Sequence, residues 1–251
     1  MMKLLVNPAY RHLQSYIETL PEIFEQEGTT VYKSRNLIKT FTTPDGLHVN
    51  VKRYHKPRFL NLLAYSLGLR TPKGRRAFDY PTILLGKGIN TPEPIAYIEQ
   101  RQCGLLGYSY FISIQSDYPH LMYEMGEASP QLYERMAPAF AHYTAHMHNM
   151  GIMHRDYSPG NILWKEDENG EFHFSIIDIN RMYFGEVDME KGCANLKRIW
   201  GNKDFFQLLA RHYAHERGFD PSETIEKVMK HRTRFWTRYI KKHGKPYPIE
   251  L

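Results

Sequence analysis

The sequence predicts an α+β fold with two lobes, a small β-rich N-terminal lobe (residues 1–116) and a mainly helical C-terminal lobe (residues 117–251). Hydrophobic residues alternate with a period of two in Thr29–Tyr54, which is typical of strands, whereas Pro130–Met150 has the spacing of a long helix. A polar run, His154–Asn161, follows that helix and precedes two further strand patterns. These patterns indicate a sheet-containing lobe followed by a helical lobe that carries a polar loop.

A packing helix is predicted near the N-terminus. Asn7 is a favourable helix cap, and Pro8 is favoured at the first helical position. Apolar residues then recur at helical spacing at Leu13, Ile17, Leu20 and Phe24. We expect Gly28 to end this helix.

Three strands are predicted next, at Thr29–Tyr32, Asn36–Phe41 and His48–Tyr54. The last two are separated by Thr43-Pro44-Asp45-Gly46, a good turn sequence. The connection between the first two is Lys33-Ser34-Arg35-Asn36, which contains no glycine. We therefore expect a meander whose first loop lacks the backbone freedom that glycine provides.

The segment Arg58–Arg70 is predicted to form a short apolar helix with basic residues at its ends. Its apolar residues are Phe59, Leu60, Leu62, Leu63, Tyr65, Leu67 and Leu69. We expect a helix that is buried in the lobe. The alternative is an amphipathic basic segment that lies on an anionic membrane.

A second helix is predicted within Lys73–Lys87, and we expect Pro81 to end or kink it. Two strands follow, at Thr91–Glu99 and Leu105–Gln115. We expect the hinge between the lobes at Gln115–Tyr118.

The polar run reads His154-Arg155-Asp156-Tyr157-Ser158-Pro159-Gly160-Asn161, and Asp178 ends a hydrophobic strand beyond it. Between them, two short strands are joined by a turn that contains Asn169-Gly170, a hairpin dipeptide. A helix, a loop with Asp and Asn five residues apart, a hairpin and a second Asp are the order found in the C-terminal lobe of kinases. This order predicts phosphoryl transfer.

The chemistry explains the spacing of these residues. Phosphoryl transfer requires a hydroxyl held in line and metal ions that neutralise the phosphates. Asp156 is the predicted catalytic base, and Asn161 and Asp178 supply the hard oxygen ligands that suit Mg²⁺. The predicted cofactors are therefore ATP and Mg²⁺.

The N-terminal lobe supplies the candidate ATP-binding residues. Lys52, in the third strand, is the candidate for the lysine that contacts the α- and β-phosphates, and the alternative is a surface lysine. Asp79 is the best candidate for its carboxylate partner. Ser34, Arg35 and Asn36 are predicted to cover the phosphates in place of a glycine-rich loop.

Composition restricts the class of protein. Hydrophobic residues make up 42% of the chain and aromatic residues 14%, which indicates a folded globule. Cys103 and Cys193 form no disulfide framework, and no apolar stretch reaches membrane-spanning length or forms a signal peptide. These features predict a cytoplasmic protein.

The chain is basic, with a formal net charge of +6. Basic residues cluster in Lys52–Arg76 and Lys230–Lys245, and such clusters favour nucleotide phosphates, anionic lipid headgroups or nucleic acid. We predict the first two kinds of partner and no nucleic acid. The alternative for the C-terminal cluster is a solvated face without a specific partner.

Five stretches resemble the bacterial lipopolysaccharide kinases: Asn36–Lys39, Val49–Lys52, Gly88–Glu99, His154–Leu163 and Asp178–Met182. The resemblance implies a protein-kinase-like fold and transfer of phosphate to Kdo or heptose in the lipopolysaccharide core. It assigns the roles given above to Lys52, Asp156, Asn161 and Asp178. We expect the enzyme to work at the inner face of the inner membrane, in peripheral contact with anionic lipid.

The sequence departs from protein kinases after Asp178. Ile179-Asn180 replaces Phe-Gly, and we expect Asn180 to tolerate the left-handed backbone that a glycine adopts there. No long activation segment and no Ala-Pro-Glu follows. Because a protein kinase holds its peptide substrate on that segment, its absence argues for a small or carbohydrate acceptor.

Other interpretations stay open. Ser158-Pro159-Gly160-Asn161 is close to the loop of small-molecule kinases of the aminoglycoside or choline type. The glycine-free loop and Asp79 in place of Glu favour a pseudokinase, a binding module without turnover. Four histidines, His142, His146, His148 and His154, raise the alternative of a Zn²⁺ site. His142 and His146 lie on one helical face, but no Cys or carboxylate lies among the four.

Overall fold

A computed structural model describes residues 2–34 and 36–251. The chain forms two compact units, one that ends at Asp117 and a second at Tyr118–Leu251. Within the described residues, no helix is long and apolar enough to cross a membrane.

The first unit contains an antiparallel sheet of six strands. They are β1 (Met2–Val6), β2 (Thr29–Lys33), β3 (Leu37–Thr42), β4 (His48–Tyr54), β5 (Pro94–Gln102) and β6 (Leu105–Ile114). Their order in the sheet is β1-β5-β6-β4-β3-β2. The five strands from β2 to β6 correspond to predicted strands, with shifts of a few residues at their ends.

Strand β1 was not predicted from the sequence. It pairs with β5 from Met2 opposite Gln100 to Val6 opposite Ala96. Five residues are too short to show a clear period, and the backbone groups of β1 find their partners on a strand that lies far away in sequence. Only the pairing with β5 makes this segment a strand.

Three helices accompany this sheet. They are α1 (Gln14–Ile23), α2 (Leu60–Ser66) and α3 (Lys73–Leu85). A 3₁₀ turn, Pro8–Leu13, leads into α1, and the Asn7 side chain accepts a hydrogen bond from the Ala9 amide at 3.2 Å, as the predicted cap requires. Helix α3 does not end at Pro81 but continues to Leu85.

The core of the first unit lies between α1 and the sheet. Its members are buried apolar side chains: Leu13, Ile17, Leu20, Phe24, Phe41, Val49, Val51, Ile95, Ala96, Ile98, Tyr110 and Ile112. Helix α3 packs on β5 through Gly74, since a Cβ there would lie 2.7 Å from the Tyr97 ring. These contacts therefore hold α1 against strands β3–β6.

The prediction of a buried helix at Arg58–Arg70 is wrong. Only Tyr65 of α2 is buried, whereas Phe59, Leu60, Leu67 and Leu69 are between 70% and 88% exposed. The helix is also shorter than predicted, because Phe59, Leu67 and Leu69 lie outside Leu60–Ser66. Besides Tyr65, only Leu62 and Ala64 among the apolar residues of α2 are partly buried.

The second unit is mainly helical. Its helices are α4 (Pro130–Asn149), α5 (Met189–Asn195), α6 (Lys203–Arg217) and α7 (Pro221–His243). Its strands are β7 (His120–Leu121), β8 (Ile152–His154), β9 (Ile162–Glu166), β10 (Phe172–Ile176) and β11 (Met182–Phe184). They form one sheet with the order β10-β9-β7 and a separate pair, β11 with β8.

Side chains define where these elements begin and turn. The Ser129 hydroxyl accepts a hydrogen bond from the Leu132 amide at the start of α4, and Asp220 does the same for Glu223 in α7. In the β9–β10 hairpin, Asp167 Oδ1 accepts from the amides of Asn169 and Glu171. The predicted helix, hairpin and intervening loop are all present.

Candidate active site

The predicted catalytic loop runs from β8 to β9 and is tightly closed by its own hydrogen bonds. The Ser158 amide donates to the Asp156 carbonyl at 2.8 Å, and the Asn161 amide donates to the Ser158 carbonyl at 2.9 Å. The Asn161 side chain donates through Nδ2 to the Asp156 carbonyl, also at 2.9 Å. The spacing of five residues therefore lets the amide of Asn161 brace the backbone that carries Asp156.

Asp178 lies beside this loop. The Ile177 amide donates to the Asn161 carbonyl at 3.0 Å, which joins the end of β10 to the loop. Asp178 itself has φ of 56°, in the left-handed region, and its Oδ1 accepts from Asn180 Nδ2 at 2.5 Å. The expectation that Asn180 takes the left-handed backbone is wrong, because Asp178 takes it and Asn180 lies in a 3₁₀ turn.

The side chain of His154 contacts both the catalytic loop and the end of β10. Its ring is fully buried, Nε2 lies 3.0 Å from the Ile177 carbonyl and Nδ1 lies 3.0 Å from the Asp156 amide. Nδ1 must accept from this amide, so Nε2 carries the proton and donates to Ile177. Burial lowers the pKa of His154, which keeps the ring neutral in this arrangement.

A buried chain of hydrogen bonds holds His154 in turn. Arg217 donates to the Tyr213 hydroxyl at 2.8 Å, and this hydroxyl lies 2.8 Å from His148 Nδ1. His148 Nε2 lies 3.2 Å from Asn195 Oδ1, and Asn195 Nδ2 donates to the His154 carbonyl at 3.0 Å. Between the donor Arg217 and the accepting carbonyl of His154, the side chains of Tyr213, His148 and Asn195 each accept on one side and donate on the other, so the chain is satisfied along its length.

One glycine allows this chain to form. A Cβ at Gly192, in α5, would overlap the Tyr213 hydroxyl. The sequence interpretation gave no structural role to Gly192, Asn195 or Tyr213, and it considered His148 only as a possible Zn²⁺ ligand. No motif marks them, because they come from three helices that are brought together only by packing.

Arg198 is the most important residue that the sequence interpretation missed. Its guanidinium forms an ion pair with Asp156 Oδ1. The side chains are 39% and 25% exposed, so the pair is open to solvent. The predicted base is thus held by a cation from the 3₁₀ turn that follows α5.

The oxygen donors near the loop fit the predicted Mg²⁺. Asn161 donates through its Nδ2, which assigns Oδ1 as the remaining amide atom, and Asp178 is a carboxylate at the adjoining turn. Magnesium is usually bound by one or two such groups together with phosphates and water, rather than by a cage of protein ligands. Asn161 and Asp178 are therefore suited to hold it.

The predicted ATP-binding residues belong to the first unit. Lys52 lies in β4 opposite Ile38 and Phe111, with Nζ 5.3 Å from the centroid of the Tyr54 ring. Asp79 lies in α3 and accepts from Arg75 Nε through both oxygens, at 2.8 and 2.7 Å. Its pairing with Lys52 stays a prediction.

The glycine-free loop is described in part. The Ser34 amide donates to the Asn36 carbonyl at 3.1 Å, which closes the turn between β2 and β3. Arg35 lies outside the described residues. The contact of Ser34, Arg35 and Asn36 with phosphates stays a prediction.

The histidines of α4 have local partners. His142 Nδ1 lies 3.0 Å from Glu216 Oε2, and its side chain is 70% exposed. His148 belongs to the buried chain described above. These contacts explain two of the histidines that raised the alternative of a Zn²⁺ site.

Comparisons with known proteins agree with this arrangement. A model described as the lipopolysaccharide kinase (Kdo/WaaP) family matches residues 24–239. No curated protein sequence is significantly similar to the chain.

Three solved structures are similar over nearly the whole chain. WaaP in complex with acyl carrier protein has a TM-score of 0.60 at 16% identity, with 96% of this chain and 99% of that chain covered. The amicoumacin kinase hAmiN, in complex with AMP-PNP, Ca²⁺ and Ami, has a TM-score of 0.55 at 11% identity, with 96% of both chains covered. The ternary complex of APH(2″)-IIa with streptomycin and ATP has a TM-score of 0.52 at 13% identity, with 92% and 93% covered.

Proposed function

Because the chain belongs to the lipopolysaccharide kinase (Kdo/WaaP) family and has a protein-kinase-like fold, we propose that it transfers phosphate from ATP to a sugar hydroxyl, of Kdo or heptose, in a lipopolysaccharide core or its precursor. The observation that supports this proposal best is the cluster of Asp156, Asn161 and Asp178 around the buried ring of His154. The family implies the use of ATP, typically with Mg²⁺.

The residues of the second unit have separate roles in this reaction. Asp156 accepts the proton of the acceptor hydroxyl while the hydroxyl oxygen attacks the γ-phosphate and ADP leaves. Asn161 and Asp178 would hold Mg²⁺, which would supply positive charge to neutralise the phosphates. His154 positions the loop through two hydrogen bonds and does not itself exchange a proton.

Lys52 is the proposed contact of the α- and β-phosphates, with Asp79 as its carboxylate partner. Ser34, Arg35 and Asn36 are the proposed cover of the phosphates. Lys52 is supported by its position in a strand of the N-terminal sheet, where a kinase carries this lysine. The other four residues rest on the sequence alone.

The segment after Asp178 supports a carbohydrate acceptor. It passes through a 3₁₀ turn and β11, which pairs with β8, and α5 begins at Met189. So short a connection offers no platform for an extended peptide. A small acceptor hydroxyl is the substrate that fits this feature.

The direct test measures ATP consumption with purified lipid A–Kdo acceptors. Asp156→Asn keeps the shape of the side chain but removes the base, so we expect turnover to fall by about 100-fold or more. Glu168→Gln, an equivalent change at an exposed position in the β9–β10 turn, serves as the control and should leave turnover unchanged.

Two results would contradict the proposal. Turnover that survives in Asp156→Asn would show that Asp156 is not the base. Absence of turnover with every core sugar, together with turnover of an aminoglycoside, would favour the small-molecule kinase, whereas ATP binding without any turnover would favour the pseudokinase.

We also propose that the segment Lys56–Arg70 contacts an anionic membrane. Its apolar side chains point outward, as described above, and Lys56, Arg58 and Arg70 are exposed beside them. Apolar residues that enter the interface and cations that face anionic headgroups are the two signals that peripheral binding needs. This contact would bring the enzyme to a lipid-linked acceptor at the inner face of the inner membrane.

A further inference from the structure

A groove along α7, in the second unit, is not part of the site described above. It encloses about 520 Å³. We call it the α7 groove and define it by the residues that line it: Ala194, Lys197, His231, Arg234, Phe235, Arg238, Tyr239, Lys242 and His243. This volume falls in the range of small-molecule sites, about 300–1,000 Å³.

The groove combines a cationic row with an aromatic row. Arg234, Arg238 and Lys242 follow one another at four-residue spacing, which places them on one face of α7, and all three are exposed. His231, Phe235, Tyr239 and His243 form a second row at the same spacing. No carboxylate occurs among the residues that line the groove.

The aromatic row is continuous. The rings of Phe235 and Tyr239 have centroids 6.0 Å apart, and those of Tyr239 and His243 have centroids 4.8 Å apart. At one end, His231 Nε2 is held 2.8 Å from Glu190 Oε1. The groove therefore offers a row of ring faces beside a row of cations, which suits a ligand with an apolar face and anionic substituents.

Arg198 connects this groove to the catalytic base. Its guanidinium pairs with Asp156, and its Cζ lies 5.8 Å from the centroid of Phe235. Lys197, the preceding residue, lines the groove. Because the Arg198–Asp156 pair is exposed to solvent, exchange of the guanidinium to another anion costs little.

We propose that the α7 groove binds an acidic saccharide, which is the phosphoryl acceptor, and that Arg198 moves from Asp156 to a phosphate or carboxylate group of that saccharide. In the free enzyme, Arg198 forms an ion pair with the proposed base, Asp156. A bound acceptor provides an anion that a guanidinium can contact with two parallel hydrogen bonds, and Asp156 is released to accept the hydroxyl proton. The inference rests on the proposed function and adds to it a binding site for the acceptor and a role for Arg198.

The geometry favours a saccharide over the other anionic occupants. The groove is a concave cleft, whereas a membrane surface is flat and contacts protruding side chains. An acidic protein would need a broad surface, while here the cations flank a row of rings. Sugar rings have apolar faces that can lie on aromatic side chains, and their acid groups can meet Arg234 and Arg238.

The binding test compares two variants of equal charge. Arg234→Gln/Arg238→Gln removes two cations from the groove, and Lys230→Gln/Lys241→Gln removes two exposed cations of α7 that do not line it. The probe is glucosamine disaccharide bisphosphate, measured by calorimetry with the full-length chain, and the same disaccharide without phosphates is the second arm. We expect binding of the bisphosphate to weaken at least about tenfold in the groove variant.

The control should bind the bisphosphate within about twofold of the unsubstituted protein, since only nonspecific attraction is lost. The neutral disaccharide should bind weakly and equally to all three proteins. Equal loss in the two variants would overturn the proposal, because it would show nonspecific attraction to a basic helix. Anionic vesicles or an acidic protein that depend on the groove while the bisphosphate does not would overturn it as well.

Arg198 needs a separate readout, because a residue that only braces the loop would also lower turnover. We expect Arg198→Gln to raise ATP hydrolysis without acceptor several-fold, since Asp156 is then free to activate water. Acceptor should no longer stimulate this variant as strongly, and Arg198→Lys should restore part of the difference. Lower hydrolysis in Arg198→Gln, with normal binding of the bisphosphate, would overturn the coupling.

These results separate the inference from the proposed function. If core sugars are phosphorylated but the groove variant has the same acceptor KM as its control, the groove inference fails and the proposed function stands. If no core sugar is phosphorylated but the bisphosphate binds in the groove, the proposed function fails and the groove stands as an acidic-saccharide site.

Discussion

At the residue scale, His148 shows how burial determines protonation. It is 2% exposed, and burial lowers its pKa from 6.5 to about 3. The neutral ring fits its two contacts, since Nδ1 accepts from Tyr213 and Nε2 donates to Asn195. A proton added to Nδ1 would break the contact with Tyr213 and place a charge in the core.

This predicts a pH-dependent stability. The folded pKa is lower than the unfolded one, so the unfolded state binds more protons between about pH 6.5 and about pH 3, and stability falls as the pH falls through that window. His148 should contribute on the order of 1 kcal/mol of lost unfolding free energy per pH unit there. Urea unfolding at several pH values measures it.

His148→Gln should flatten this dependence, and part of the slope should remain because burial also lowers the pKa of His154. His142→Gln, on the same helix but at an exposed site, is the control and should retain the slope. An unchanged slope in His148→Gln would contradict the neutral, buried histidine.

At the element scale, α2 shows that a pattern of apolar residues in the sequence does not predict whether the segment is buried. Helices α2 and α3 both contain apolar residues. Helix α3 packs on β5 and β6, whereas α2 contacts β6 and leaves Leu60 and Leu63 exposed, as are Phe59, Leu67 and Leu69 beside it. Burial of apolar surface is favourable by about 25 cal/mol per Å², so these exposed side chains raise the free energy of the isolated protein. Insertion of these side chains into the interface of an anionic membrane would bury them and lower this free energy.

Replacement of Leu60 and Leu67 by Gln is expected to weaken flotation with vesicles that contain phosphatidylglycerol, because it removes the residues that enter the interface. Raising the salt from about 0.1 M to about 1 M should weaken it further, as the screening length falls from about 10 to about 3 Å. Ile83→Gln/Leu105→Gln, at two exposed apolar sites outside this segment, is the matched control. Flotation that is unaffected by salt, or equal in the two variants, would argue against the membrane contact.

At the scale of the whole molecule, the chain is divided into two compact units. Phe24 belongs to the core of the first unit, where its ring lies 6.0 Å from that of Phe41 and 5.4 Å from that of Tyr110. In the second unit, Phe140 packs on Tyr157 and Phe174. These contacts join residues of the same unit.

Phe24→Ala should therefore destabilise the first unit locally, by about 3–5 kcal/mol for the loss of a buried aromatic ring. Hydrogen exchange should rise in β3 and β4, while the amides of α4 and α6 stay protected. Phe59→Ala, at an exposed phenylalanine of the same unit, is the control and should leave exchange in these strands unchanged. An equal rise in both units of Phe24→Ala would show that they unfold as one.

The candidate site was predicted best where its residues lie in one loop. Asp156 and Asn161 are five residues apart, and their contact is set by the closure of that loop. Asp178 was also predicted, because a polar residue at the end of a hydrophobic strand stands out. The left-handed position was assigned to the wrong residue, since sequence preference ranks residue types but does not say which backbone must turn.

The sequence alone predicted the helix Pro130–Asn149, the β9–β10 hairpin and the order of the candidate site residues along the chain, because these depend on hydrogen bonds and side-chain spacing within a few residues. Contacts between distant parts of the chain were visible only in the tertiary structure. Arg198 reaches Asp156 from 42 residues away, and β1 becomes a strand only beside β5. Such contacts depend on how distant elements pack, and a local sequence pattern does not predict this packing.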